Sequence, residues 1–350
     1  CVESRVIPYH WDDRERLFHD YLYLKQLHED LLSELRSQLN KCHGVERSER
    51  YWRIVLGPWL NWVLPVLLDR WTSIERYKSL EGPSKTIVLT GTASYSPPND
   101  MAEFMPLVDD PYWNHCLYAE LIERRSEIEL LVARGPDLGP VERGVTINEV
   151  VPTGYQRLWG RLEKMALRAT SRDKIVMIAT YLSRREEMLL NFKLGQLPMT
   201  RRTVSVPEVD WQPKVRDWVL TGPSSSPFEE WIRGWIPRHL PRVYLEGYSE
   251  LIRCAKTMKW PTNPAVIWTS IAFNSDEVFK VWAAECVEKG TSLVIGQHGG
   301  FNGLGKWSSA EDHEIMISDQ YFSWGWTDEN DERVRPVGVL RPKAWLELDD

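Results

Sequence analysis

Residues 264–319 constrain the fold of this chain more than any other stretch. Val266–Thr269 and Leu293–Ile295 are short apolar runs rich in β-branched residues, the composition of strands buried in a parallel sheet. Between them Val278, Val281, Trp282 and Cys286 recur at helical spacing, and Gly290 follows as a stop signal. The pattern predicts a strand–helix–strand unit. Gln297-His298-Gly299-Gly300 falls just past the carboxyl end of the second strand. In open α/β sheets that edge is where ligands bind.

The residue types at that edge suit anion chemistry. Two glycines let backbone N–H groups approach an anion with no side chain in the way. His298 can donate to a phosphate or exchange a proton near neutral pH. Gln297 offers a donor and an acceptor. Taken alone, His-Gly-Gly reads equally well as a tight turn with a satisfied histidine. The position after a strand, and His313 beside Glu311 and Glu314, favour a site.

Strands and helices alternate along the rest of the chain. Lys85–Thr90, Asp173–Ala179, Gln320–Trp324 and Val334–Val339 read as strands. Residues 13–41, a stretch capped by Ser48 and kinked at Pro58, Trp113–Val132, Tyr155–Ala169, 184–193 and Leu240–Met258 read as helices. Prolines break the pattern from Leu197 to Pro241. Were 313–318 a strand, His313 and Glu314 would point to opposite faces. The alternation predicts an α/β class with a parallel sheet.

The length of 350 residues suits two domains. The boundary is expected at Thr262–Pro264, giving an amino-terminal α/β domain over 1–261 and a second domain over 262–350. A net charge of −7 argues against a general nucleic-acid binder. The five cysteines are scattered without a CxxC pair, so neither a zinc knuckle nor a disulfide framework is indicated, and a reducing cytoplasm is the simplest compartment. No apolar run approaches the ~20 residues needed to span a bilayer. The first residue is Cys1 and the last stretch has no evident terminal element, so the chain reads as a fragment.

Other residues are candidates for chemistry. Arg50 and Arg53 could hold a phosphate or an acidic sugar, or else pair with neighbouring carboxylates. Asp100 and Glu103 follow the loop after Lys85–Thr90 and are candidates for a general base, although Asp100 is also a good helix cap. Trp324 and Trp326 could stack on a sugar face. His298, Glu311, His313 and Glu314 include metal-ligating types, but their spacing matches no zinc signature.

The motifs Ile295-Gly296-Gln297-His298-Gly299-Gly300-Phe301-Asn302-Gly303, Glu311-Asp312-His313-Glu314, Ser318-Asp319 and Ser323-Trp324-Gly325-Trp326 resemble those of a bacterial family of transferases. The run Arg50-Tyr51-Trp52-Arg53-Ile54-Val55-Leu56-Gly57-Pro58-Trp59-Leu60 resembles its amino-terminal signature. That family is encoded in O-antigen and surface-polysaccharide loci and is similar to GT-B glycosyltransferases. The resemblance spans roughly residues 25 to 340.

It implies two Rossmann-like domains with a helical amino-terminal region, the second incomplete. It also implies transfer of a sugar from a nucleotide donor, with a CMP-activated ulosonic acid as the leading candidate, to a glycan or lipid-linked acceptor. His298, Gln297, Gly299, Gly300, Glu311, His313 and Glu314 would serve the donor. Asp100 or Glu103 would serve the acceptor hydroxyl, and Arg50, Arg53 and Trp324 the substrate. No cofactor or catalytic metal is implied, and the lipid-linked acceptor would bring the protein to the cytoplasmic face of the inner membrane. A non-catalytic component of polysaccharide assembly and a sugar-nucleotide epimerase are the alternatives.

Overall fold

The computed structural model describes residues 6–78, 85–90, 96–124, 128–134, 174–196, 206–258 and 260–340. The helix expected at Tyr155–Ala169 lies outside them. The fold is mixed α/β, with helices and parallel sheets.

Helix α1 spans Arg14–His43 and buries Leu27, Leu31, Leu35 and Leu39, one stripe at three- and four-residue spacing. Helix α2 spans Glu49–Lys78. Ser48 accepts from the Tyr51 amide at its start. The sequence predicts a kink at Pro58, and the helix continues past both Pro58 and Pro65. Each proline deletes one N–H from the ladder. Burial of every residue from Tyr51 to Leu60 compensates, because such a helix is fixed by packing on all sides.

Next come β1 (Lys85–Thr90), α3 (Met101–Leu107), α4 (Pro111–Glu123) and β2 (Glu129–Arg134). The sequence places one helix over Trp113–Val132. Instead α4 stops at Glu123, and Glu129–Arg134 pairs in parallel with β1, with Val132 opposite Val88. Leu130, Leu131 and Val132 satisfy a strand as readily as a helix, and pairing decides between them.

The chain then forms β3 (Ile175–Met177), α5 (Arg184–Lys193), α6 (Pro227–His239) and α7 (Tyr248–Thr257). Helix α6 lies where the prolines predict irregular structure. Pro227 occupies the first helical turn, where its missing N–H costs nothing, and Ser226 caps the Glu229 amide. The helix expected from Leu240 begins only at Tyr248, after a short 3₁₀ turn at Arg242–Tyr244.

The remaining elements are β4 (Val266–Thr269), α8 (Ala272–Ser275), α9 (Glu277–Val287), β5 (Ser292–Gly296), α10 (Ser309–Ile317), β6 (Gln320–Ser323) and β7 (Val334–Pro336). Gly290 ends the α9 turn at φ +96°, a backbone that glycine adopts without penalty.

The described chain divides into two compact units. One comprises Cys1–Cys42, Trp59–Thr146 and Glu208–Gly247; the other His43–Pro58, Ile147–Pro207 and Tyr248–Asp350. In the first, Trp71 of α2 meets Phe228 and Trp231 of α6 at ring-centroid distances of 5.6 Å each. Arg233 of α6, almost fully buried, pairs with Glu34 of α1 at 2.9 Å.

The second unit holds a five-stranded parallel sheet in the order β3-β4-β5-β6-β7. It draws strands from both sides of residue 262, since β3 bonds directly to β4. Met177, Trp268 and Val294 pack together at its core. Helix α9 buries Val278, Phe279, Val281, Trp282 and Cys286. No helix among the described residues is long and apolar enough to cross a membrane.

Candidate functional site

Parallel strands bring their carboxyl ends to one edge of the sheet. Ala179–Tyr181 lie just beyond β3, Ser270–Phe273 beyond β4, Gln297–Gly300 beyond β5 and Trp324 beyond β6.

Gln297 is the hub of this edge. It is buried, and its amide nitrogen donates to Gly299 O at 2.7 Å and Asn302 O at 3.0 Å. Its amide oxygen accepts from the Trp324 backbone N–H at 2.8 Å and the Trp326 indole at 2.9 Å. Those four bonds use the whole capacity of a carboxamide. Gln297 therefore shapes the loop. The Trp324 indole N–H is likewise committed, to Gln297 O at 3.0 Å, which leaves its ring face for any contact with a ligand.

Gly303 holds the far end of the same loop at φ +79°, and a Cβ there would meet the Trp326 indole at 2.4 Å. Gly299 and Gly300 differ from it. A Cβ at Gly299 would meet nothing within 4 Å, and one at Gly300 only the edge of Trp324 at 3.9 Å. Neither glycine is needed by the chain's own packing: there is open space beside Gly299, and Gly300 has room for a Cβ in ordinary contact with Trp324.

His298 precedes these glycines in the chain, and its side chain is about a quarter exposed. Its Nδ1 faces Glu314 Oε1 at 3.5 Å. The other Glu314 oxygen accepts from Asn302 Nδ2 at 3.0 Å and from the Tyr321 hydroxyl at 3.0 Å, and Asn302 also donates to Tyr321 at 2.8 Å. Burial pushes the Glu314 carboxyl up to about 8, against which the Tyr321 and Asn302 bonds pull weakly. Burial also lowers His298 below the ordinary histidine value. Both shifts favour the uncharged pair at neutral pH, a carboxylic acid beside a neutral imidazole, with His298 Nδ1 buried and making no hydrogen bond at this separation.

The strand alternative for 313–318 does not hold, because α10 covers those residues. Ser308 caps the helix by accepting from the Glu311 amide at 3.2 Å, and one turn places Glu311 and Glu314 on the same side. Glu311 accepts from the Gly303 amide, fixing the loop onto α10, and burial raises its carboxyl. His313 is buried too, with its ring 6.4 Å from that of Phe273, which lies 6.3 Å from His298. Room for the His313 ring comes from Gly57 of α2, where a Cβ would sit 2.2 Å from Cε1. Gly57→Ala is therefore expected to destabilise by about 1–3 kcal/mol. Thermal denaturation checks this; an unchanged midpoint would mean that His313 moves aside without cost.

The other candidates are held elsewhere. Arg50 pairs with Asp319 at 2.8 Å and donates to Ile317 O at 3.0 Å, while Arg53 pairs with Glu49 at 2.9 Å and touches Met316 Sδ. Both guanidinium groups thus meet the carboxyl end of α10, where positive charge is favoured. Asp100 and Glu103 belong to the other compact unit. Asp100 caps α3, accepting from the Glu103 amide at 2.9 Å, and Glu103 accepts from the Asn99 amide and pairs with Arg242 at 3.4 Å.

Asn302, Tyr321, Gly57 and Phe273 join the site from outside the predicted set. Asn302 sits within the Gly-rich motif and Gly57 within the amino-terminal signature, but Tyr321 and Phe273 carry no local signal. Among the described residues, no group of three or more His, Cys, Asp or Glu side chains could hold a metal ion.

No curated protein and no solved structure matches the chain. A family model described as LIC12162 family transferase matches residues 2–348. With nearly its whole length matched, the chain belongs to the LIC12162 family of transferases.

Proposed function

We propose that the protein is a glycosyltransferase of GT-B type, moving a sugar from a nucleotide donor to a surface polysaccharide or lipid-linked glycan. A CMP-activated ulosonic acid is the leading donor. The observation that carries this reading is the unfilled room at Gly299 and Gly300, past the carboxyl end of a parallel strand and next in sequence to His298, which faces Glu314.

In this reading the donor phosphate takes the open space, where backbone N–H groups can face it. His298 Nε2–H donates to a phosphate oxygen, and Glu314 holds the imidazole in that tautomer through Nδ1. As the bond between sugar and phosphate breaks, charge gathers on the leaving oxygen, and a preorganised donor stabilises it. The proton on Glu314 can follow through the imidazole, so the departing phosphate need not leave as the full dianion. The acceptor hydroxyl oxygen forms the new glycosidic bond to the anomeric carbon as the bond to phosphate breaks, and its proton passes to solvent water.

Calorimetric titration with CMP, CDP, UDP and GDP tests the donor site. One nucleotide is expected to bind selectively to the wild-type protein and at least about tenfold more weakly to His298→Ala, the loss of a charge-assisted hydrogen bond. Equal binding to both proteins would remove His298 from the phosphate site.

A further inference from the structure

Among the described residues, two other than glycine adopt left-handed backbone, and they lie two positions apart: Ala179 at φ 52° and Tyr181 at φ 65°. That region is uncommon outside glycine and asparagine, and for a bulky side chain it is an outlier. The stretch leaves the carboxyl end of β3 and is clamped by β4. The Ile178 amide donates to Trp268 O at 2.9 Å, and the Ser270 amide donates to Ala179 O at 2.9 Å. The Ser270 hydroxyl, fully buried, donates to Thr180 O at 3.2 Å. Thr180 is fully buried as well, and its own hydroxyl makes no hydrogen bond.

Three unfavourable local features thus fall within three consecutive residues. Such features persist only where the surroundings impose them, and they gather at functional sites. Their product here is the placement of one ring. Tyr181, half-buried, holds its ring centroid 6.4 Å from that of His298, with 33° between the planes. A turn that needed only its backbone shape would be cheaper with glycine or asparagine at this position.

We propose that Tyr181 is a ligand-contacting residue of the site, on which a ring of the bound nucleotide, base or sugar, stacks. The assignment rests on the nucleotide reading above. With a phosphate beside Gly299 and Gly300, a ring of the same ligand comes within reach of an aromatic face already set next to His298. Aromatic stacking suits that task because every base and most sugars offer a face to it.

Three variants test it. Tyr181→Asn removes the ring and tolerates the left-handed backbone. Tyr181→Phe keeps the ring. Ala179→Gly relieves strain while leaving Tyr181 in place. Affinities for CMP, UDP and ribose 5-phosphate are measured by calorimetry, alongside thermal midpoints.

Tyr181→Asn is expected to weaken binding about tenfold or more with a midpoint equal to or above the wild type's. Tyr181→Phe and Ala179→Gly should bind as the wild type does. Loss confined to CMP and UDP identifies the base as the stacked ring, and loss that extends to ribose 5-phosphate identifies the sugar; both support the proposal. Equal affinity in wild type and Tyr181→Asn overturns it. So does a loss accompanied by a midpoint several degrees lower, which would make Tyr181 a packing residue. If the wild type binds none of CMP, CDP, UDP and GDP, the nucleotide reading fails and this assignment falls with it.

Discussion

If the proposed sugar transfer is the activity, replacing His298 with alanine is expected to lower it by about a hundredfold to ten-thousandfold, the range for loss of a positioned proton donor. Stability should change by less than about 1 kcal/mol. The asymmetry follows from geometry. The imidazole is partly exposed, and its one close polar partner is Glu314 at a long 3.5 Å, so the fold loses little with it. A leaving phosphate would lose the donor aimed at it. Initial rates and thermal midpoints on the same preparations read both quantities. A fall in activity that merely tracks a fall in midpoint would give His298 a structural role.

Glu314→Gln should flatten the dependence of stability on pH. A carboxyl that titrates near 8 when folded and near 4.5 when unfolded keeps a proton in the native state that the unfolded chain has released. Native protein therefore binds more protons across that window, and stability falls as pH rises from about 4.5 to about 8. The loss is on the order of 5 kcal/mol for this residue. Glutamine mimics the protonated acid, donates to His298 Nδ1 and has nothing to ionise. Denaturant midpoints at pH 5 and pH 8 should thus converge in the variant relative to the wild type; an unchanged gap between them would place the titration elsewhere.

The same substitution predicts a functional difference. Above about pH 8 the wild-type Glu314 ionises and draws the His298 proton to Nδ1. Nε2 then presents a lone pair, and phosphate binding should weaken. Glu314→Gln should keep its phosphate affinity at pH 9.

Much of the sheet was legible because its strands carry their signal locally. Val266–Thr269 and Leu293–Ile295 are apolar, short and β-branched, and both are strands of the sheet. The misreadings arose where a local pattern admitted two answers. Leu130, Leu131 and Val132 suited a helix as well as a strand, and pairing with β1 made them a strand; Ile315 and Ile317 left their stretch open, and the Ser308 cap makes it a helix. Prolines hid α6, although Ser226-Pro227 is itself a start signal.

Within the site, His298 and Glu314 were visible as residue types, whereas their relation was not. Asn302, Tyr321 and Glu314 come from a loop, a strand and a helix, and only tertiary packing brings the three together. Gln297 shows the converse. Its chemistry suggested a ligand contact, but the loop itself occupies every donor and acceptor it has.

The way each compact unit is assembled from separated stretches bears on how the protein is made. Glu34 leaves the ribosome 199 residues before Arg233, its buried partner. Strand β3 likewise precedes the edge of β4 that it pairs with by most of a domain's length. Neither contact can form behind the moving chain, so Glu34 and the free edge of β3 wait for partners made much later. Chaperone dependence during expression, and slow refolding from denaturant at high protein concentration, are the practical consequences of that order.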